Sequence, residues 1–233
     1  MIQHRPSIDR GFANHGWLKS LHSFSFGRYY DEQHMGFRNL RVINEDRVAA
    51  KQGFGTHPHR NMEIISYVIS GALEHKDSMG TGSVIRTGDV QCMSAGSGVH
   101  HSEFNHSGTE EVHFLQIWIT PNLLNTAPSY DQKYFGDKRR NQLCLVASGS
   151  GREGSLKILQ DVQLFACQLD TSKTISYTIA TNRHVWIQMI EGSLELSKSD
   201  VVLSGGDGMA ISHRANIDLR ATQNAHFLLF DLI

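Results

Sequence analysis

Apolar residues along this chain fall in short runs, many alternating with polar ones, and most runs stop at glycine, aspartate or asparagine. A period of two marks a strand with one buried face. Such runs cover 23–30, 40–44, 63–69, 72–75, 83–86, 90–94, 99–104 and 112–120. They resume at 143–147, 157–159, 162–169, 174–179, 185–190, 193–196, 200–203 and 227–232. Turn signals between them include Ser70-Gly71, Thr87-Gly88-Asp89 and Ala95-Gly96-Ser97-Gly98. Few stretches hold a helical period for long, so the pattern predicts an all-β chain of sandwiches or barrels.

The stretch from about 121 to 142 breaks this rhythm. It is polar, with Pro121, Pro128 and the charged cluster Asp137-Lys138-Arg139-Arg140. It reads as a connection, so the expected organisation is a first domain over 1–125, a connecting segment over 126–142 and a second domain over 143–233. The second half resembles a faint copy of the first. Ile69-Ser70-Gly71-Ala72-Leu73-Glu74 matches Ile190-Glu191-Gly192-Ser193-Leu194-Glu195, and Thr87-Gly88-Asp89 matches Gly205-Gly206-Asp207.

Composition narrows the class. A hydrophobic content of 39% supports a core, and a net charge of −1 leaves no basic footprint for nucleic acid. The start of the chain lacks the apolar stretch of a secretory signal, and no run approaches the length of a membrane span. Cys92, Cys144 and Cys167 are odd in number and form no CxxC pair, so reduced thiols and a cytoplasmic setting are expected. Histidine is the unusual residue: of its 14 copies, several lie close together between His57 and His113, which points to metal.

The candidate chemistry lies in two short motifs, His57-Pro58-His59 and His101-Ser102-Glu103. Residues two apart on a strand point to one face, so each motif offers two ligands to one side of a sheet. By the same parity His100 points away, unless a one-residue bulge intervenes. Three imidazoles and a carboxylate form a mixed nitrogen and oxygen set, which suits a divalent transition ion better than Ca²⁺ or Mg²⁺. Four ligands on a six-coordinate ion leave positions open, as in catalytic sites. Glu63 shares the parity of the first motif. It is read as a replacement fourth ligand, as an acceptor behind a ligand imidazole, or as an ordinary strand glutamate. His75, His106, His113 and His184 are expected to be solvated or structural. Carried across the repeat, the four ligand positions land on Thr178, Ala180, Leu219 and Ala221, so only the first domain is expected to bind metal.

These residues resemble the cupin superfamily and, within it, the pirin family. The resemblance is carried by His22-Ser23-Phe24-Ser25-Phe26-Gly27, by Leu40-Arg41-Val42-Ile43-Asn44-Glu45-Asp46, and by the blocks 53–63 and 93–103 around the two motifs. It implies a bicupin fold of two jelly-roll-like β-barrels with metal in the first alone. It also implies His57, His59, His101 and Glu103 as ligands and Glu63 as a non-ligand. Asn61 departs from the aspartate common at that position and is expected to tune the surroundings of the metal. The activity implied is oxidative ring opening of a flavonol such as quercetin by O₂, releasing carbon monoxide, with Glu103 or Glu63 as general base. Phe24, Phe26 and Phe54 are expected in the core or at an apolar mouth. The residues do not choose among iron, copper, nickel, zinc and manganese; iron is expected first. The rival that the resemblance implies is a regulatory protein binding a transcription-related partner. A monomer is expected.

Overall fold

The computed structural model describes residues 1–197 and 199–233. Strands dominate it, and the helices among the described residues are short 3₁₀ turns such as Ser7–Asp9 and Glu32–His34. None of its helices is long and apolar enough to cross a membrane. The chain forms two compact units that are interleaved in sequence. One comprises Gly11–Tyr134 and Leu156–Gln160; the other comprises Met1–Arg10, Phe135–Ser155 and Asp161–Ile233.

Each unit is a pair of antiparallel sheets stacked as a sandwich rather than a closed barrel. In the first unit the larger sheet has seven strands. Their order is Ser129–Tyr134, Asp89–Ser94, Glu63–Ser70, Val112–Ile119, Leu40–Val48, Leu18–His22 and Gly11–Asn14. The smaller sheet runs Gly53–His59, Val99–Asn105, Ala72–Asp77 and Gly82–Arg86. The second unit repeats this plan. Its smaller sheet runs Thr174–Thr178, Asn216–Ala221, Ser193–Leu196 and Val202–Ser204. Its larger sheet includes Ile2–Arg5, Gly208–Ile211, His184–Glu191, Ala225–Leu232, Gln163–Leu169 and Cys144–Ser148. The tight turns at Gly71 and Gly192 occupy matching places, with φ of 82° and 75°. A side chain at Gly192 would run into the Asn224 carbonyl oxygen.

The structure differs from the sequence expectation at three places. The run 23–30 is a loop, because the backbone doubles back through a Phe26–Tyr29 bridge and a left-handed Gly27; the strand is Leu18–His22 instead. The stretch 126–142 contains a strand, Ser129–Tyr134, paired to Asp89–Ser94 at the sheet edge. Met1–Arg10 belongs with the second unit, since Ile2–Arg5 pairs with Gly208–Ile211.

The two interiors differ sharply. In the second unit Ile187, Leu229 and Phe165 stand in one cross-strand row, buried in a large apolar cluster. The matching row of the first unit is Ser66, Gln116, Asn44 and His22, a polar band across the inner face of the larger sheet. One row along lie Phe114, Asp46 and Ser20. Apolar packing closes the ends of this interior, around Leu18, Val48, Val112 and Phe114 on one side and Ile64, Met93 and Val99 on the other.

Candidate functional site

The smaller sheet of the first unit holds both histidine motifs. His101 pairs with His57 and Val99 with His59 across antiparallel strands. Pro58, which has no N–H, sits on the edge strand, where none is needed. The register shifts between His101 and Glu103, so Glu103 faces Phe54, and Gly55 and Thr56 are taken up in a bulge. On the opposite flank the ladder is unbroken: His101 faces Asp77, and Glu103 faces His75. His101 and Glu103 are therefore both buried, while His100 is exposed and points away.

The rings of His57, His59 and His101 converge, with centroids 4.8 Å apart for the first two and 4.4 and 4.8 Å from His101. One nitrogen from each lies within 4.8 Å of the others. The Nδ1–H of His57 donates to the Gly55 carbonyl at 2.8 Å, which leaves Nε2 as the free lone pair. His101 is 2% exposed, and neither ring nitrogen has a partner. A buried imidazole with both nitrogens orphaned is costly unless something else occupies that space. Burial, together with its histidine neighbours, lowers the His101 pKa to about 2, and burial beside His57 lowers that of His59 to about 4. Both are neutral at neutral pH, the form that ligates metal. The donor set thus fits a divalent transition metal ion.

Glu103 forms a second group with His75 and His101, and His101 is the member that the two groups share. One carboxylate oxygen of Glu103 and one ring nitrogen each from His75 and His101 lie within 4.8 Å of one another. Ser66 Oγ donates to its Oε1 at 3.1 Å, and Gln116 Nε2 donates to its Oε2 at 2.7 Å. Burial pushes its carboxyl up, and these two donors pull it back. His75 is fully buried; its Nε2–H donates to Asp77 at 3.0 Å, and its ring stacks on Tyr130.

Glu63 is not brought into the group. Its Oε2 accepts Ser94 Oγ at 2.7 Å and the Leu159 N–H at 2.9 Å, and it does not line the cavity described below. Parity fails to connect it to His59 because Asn61 turns the chain through the left-handed region, φ 51°. Asn61 itself serves that turn: its backbone N–H donates to Gly96, and its Oδ1 accepts the Asn125 N–H.

The histidines open onto a cavity of about 620 Å³. His57, His59 and Glu103 line it, with Trp118, Phe26, Tyr29 and Phe54 as aromatic walls. Phe26 meets Trp118 edge to face at 5.3 Å, and Trp118 meets His59 at 4.9 Å. Phe24 is buried and is not among the lining residues. The polar side includes Ser20, His22, Asn44, Asp46 and Gln116, and Arg28 and His15 also line the cavity. Sequence reading missed these residues, although a signal was present: polar side chains at inward positions of otherwise apolar strands.

In the second unit the register that holds His57, His59, His101 and Glu103 is occupied by Tyr177, Ile179, Ile217 and Leu219. All four pack in or against its apolar cluster. The repeat projected the first two positions onto Thr178 and Ala180, one residue too far along, and the last two onto Leu219 and Ala221, two residues too far.

Comparison with known proteins agrees with this architecture. Residues 4–119 match the pirin family model, and residues 145–232 match that of the quercetinase C-terminal cupin domain. The chain is 46% identical over 232 residues to the quercetin 2,3-dioxygenase of Escherichia coli K12, covering 100% of this chain and 99% of that protein. It is 38% identical to a pirin-like protein of Caulobacter vibrioides, covering 99% of each. Among solved structures, the nickel(II) complex of the Escherichia coli pirin YhhW superposes with a TM-score of 0.95 at 45% identity, covering 100% of this chain and 99% of that one. The two family models and the likeness to these relatives over the whole of this chain place it in the pirin family of the cupin superfamily.

Proposed function

We propose that this protein is a metal-dependent dioxygenase that opens the central ring of a flavonol such as quercetin, taking up O₂ and releasing carbon monoxide. The observation that carries this reading is the trio of imidazoles, one buried with both nitrogens free, beside an aromatic cavity sized for a three-ring substrate. The names of its relatives support the substrate class.

His57, His59, His101 and Glu103 would hold the ion. When bound, the metal supplies Lewis acidity toward a substrate hydroxyl and a route for electrons to O₂. The protein does the rest by placement. The Gly55 carbonyl fixes the ring of His57, and Ser66 and Gln116 fix the carboxylate of Glu103. Trp118 and Phe26, set at right angles, favour a flat aromatic guest over a round one. The buried polar band of the larger sheet offers hydrogen bonds to phenolic groups while the sandwich limits access of water.

The test is metal analysis of the purified protein together with O₂ uptake on quercetin, for the parent and for His59→Ala and Glu103→Ala. Both variants should carry less metal and consume no O₂. Full uptake in both would remove the assignment, and turnover without O₂ would replace it with an isomerase.

A further inference from the structure

The cavity holds a carboxyl that the ligand set leaves unused. Asp46 lines it from the inner face of the larger sheet and is 4% exposed. One oxygen is held by Ser20, its cross-strand neighbour, while Oδ1 is buried with no partner. The groups around it are Ser20 and His22 from one flanking strand, Phe114 and Gln116 from the other, and Glu103 from the opposite sheet. None of these is a lysine or arginine, and Arg28, which lines the same cavity, is not among the groups that act on the Asp46 carboxyl. His22 is itself engaged, its Nδ1 lying 2.7 Å from Asn44 Oδ1. A carboxyl buried without a cation and with one oxygen unused costs stability, so its retention calls for a use.

Building on the dioxygenase reading, we propose that Asp46 is the general base of the reaction. The hydroxyl O–H of the bound flavonol breaks, its electron pair stays on the substrate oxygen, and the proton moves to Asp46 Oδ1. The proton returns to product or water at the end of the cycle. The alternatives are weaker on the page. Both oxygens of Glu103 already accept hydrogen bonds, and Glu63 lies outside the cavity. Burial, with Glu103 and Glu45 adding to it, pushes the Asp46 carboxyl up to about 7 against the pull of Ser20.

The experiment compares the parent, Asp46→Asn and Asp46→Glu at equal metal loading. Quercetin is added first without O₂, to read the red-shifted absorption of the flavonol anion, and then with O₂. Asp46→Asn should keep its metal, bind quercetin without the anion spectrum at pH 7, and lose ~100-fold or more in kcat. Alkaline pH should recover part of that loss, and Asp46→Glu should recover part at neutral pH. An Asp46→Asn protein that forms the anion and turns over within a few-fold of the parent overturns the role of Asp46 while leaving the dioxygenase reading intact. Loss of metal from that variant also overturns it, because Asp46 would then serve the centre's assembly. A metal-loaded parent that consumes no O₂ removes the dioxygenase reading and this inference together.

Discussion

Replacing Asp46 by asparagine should stabilise the metal-free protein, and by more as pH rises from about 4 to 8. The folded-state carboxyl titrates near 7, against an ordinary value of 3.8. For a carboxyl raised on folding, the protonated form is the one the fold prefers. Its stabilising effect is therefore complete below the unfolded value and is lost as pH climbs through the folded one. The loss accumulates at about 1.36 kcal/mol per unit, with a ceiling of about 4 kcal/mol. Most of it falls between pH 5 and 8, where about 2–3 kcal/mol is expected. Asparagine keeps an oxygen for Ser20 and carries no charge, so it escapes this loss. The assay is urea unfolding of chelator-treated parent and variant at both pH values, comparing midpoints. The variant should unfold later than the parent at pH 5, by about 1–2 kcal/mol, and later still at pH 8, where about 2–3 kcal/mol more is expected. An equal difference at the two pH values would refute the argument, since the charge would then carry none of the effect. A gain in stability on removing a group proposed to be essential for turnover is the usual mark of an active-site compromise.

Two further outcomes follow from the geometry. Gln116→Ala removes the donor that holds Glu103 Oε2 and should weaken metal binding about 10–100-fold, read by competition with a chromophoric chelator. Gly192→Ala puts a Cβ against the Asn224 carbonyl at a left-handed position and should cost roughly 2 kcal/mol or more in urea unfolding, with the metal content of the other unit unchanged.

Much of this molecule was legible before its structure. Strong alternation located the central strands, and the Gly71 and Gly192 turns marked the repeat, because a left-handed turn needs the same residue in both copies. Paired i, i+2 residues on one strand gave His101 with Glu103, and exposed His100 fell on the other face. The losses have definite causes. Ser129–Tyr134 is an edge strand with neither face well buried, so its polar sequence read as a connector. Ser23-Phe24-Ser25-Phe26 alternates like a strand, yet Gly27 turns it back. Parity carried through Asn61 wrongly promoted Glu63 to the site. The polar band of Ser66, Gln116, Asn44 and Asp46 required knowing which strands neighbour one another, and spacing along the chain does not contain that.

The strand Ile2–Arg5 closes the sheet edge beside Gly208–Ile211, near the opposite end of the polypeptide. During synthesis Ile2–Arg5 must therefore wait, unpaired, until the chain has been extended through Gly208–Ile211. The unit with the histidine cluster suffers no such delay, since its strands are complete once Tyr134 has emerged and it lacks only the short segment 156–160. It can thus begin folding early, while the edge of the other sandwich stays open until Gly208–Ile211 arrives to receive Ile2–Arg5.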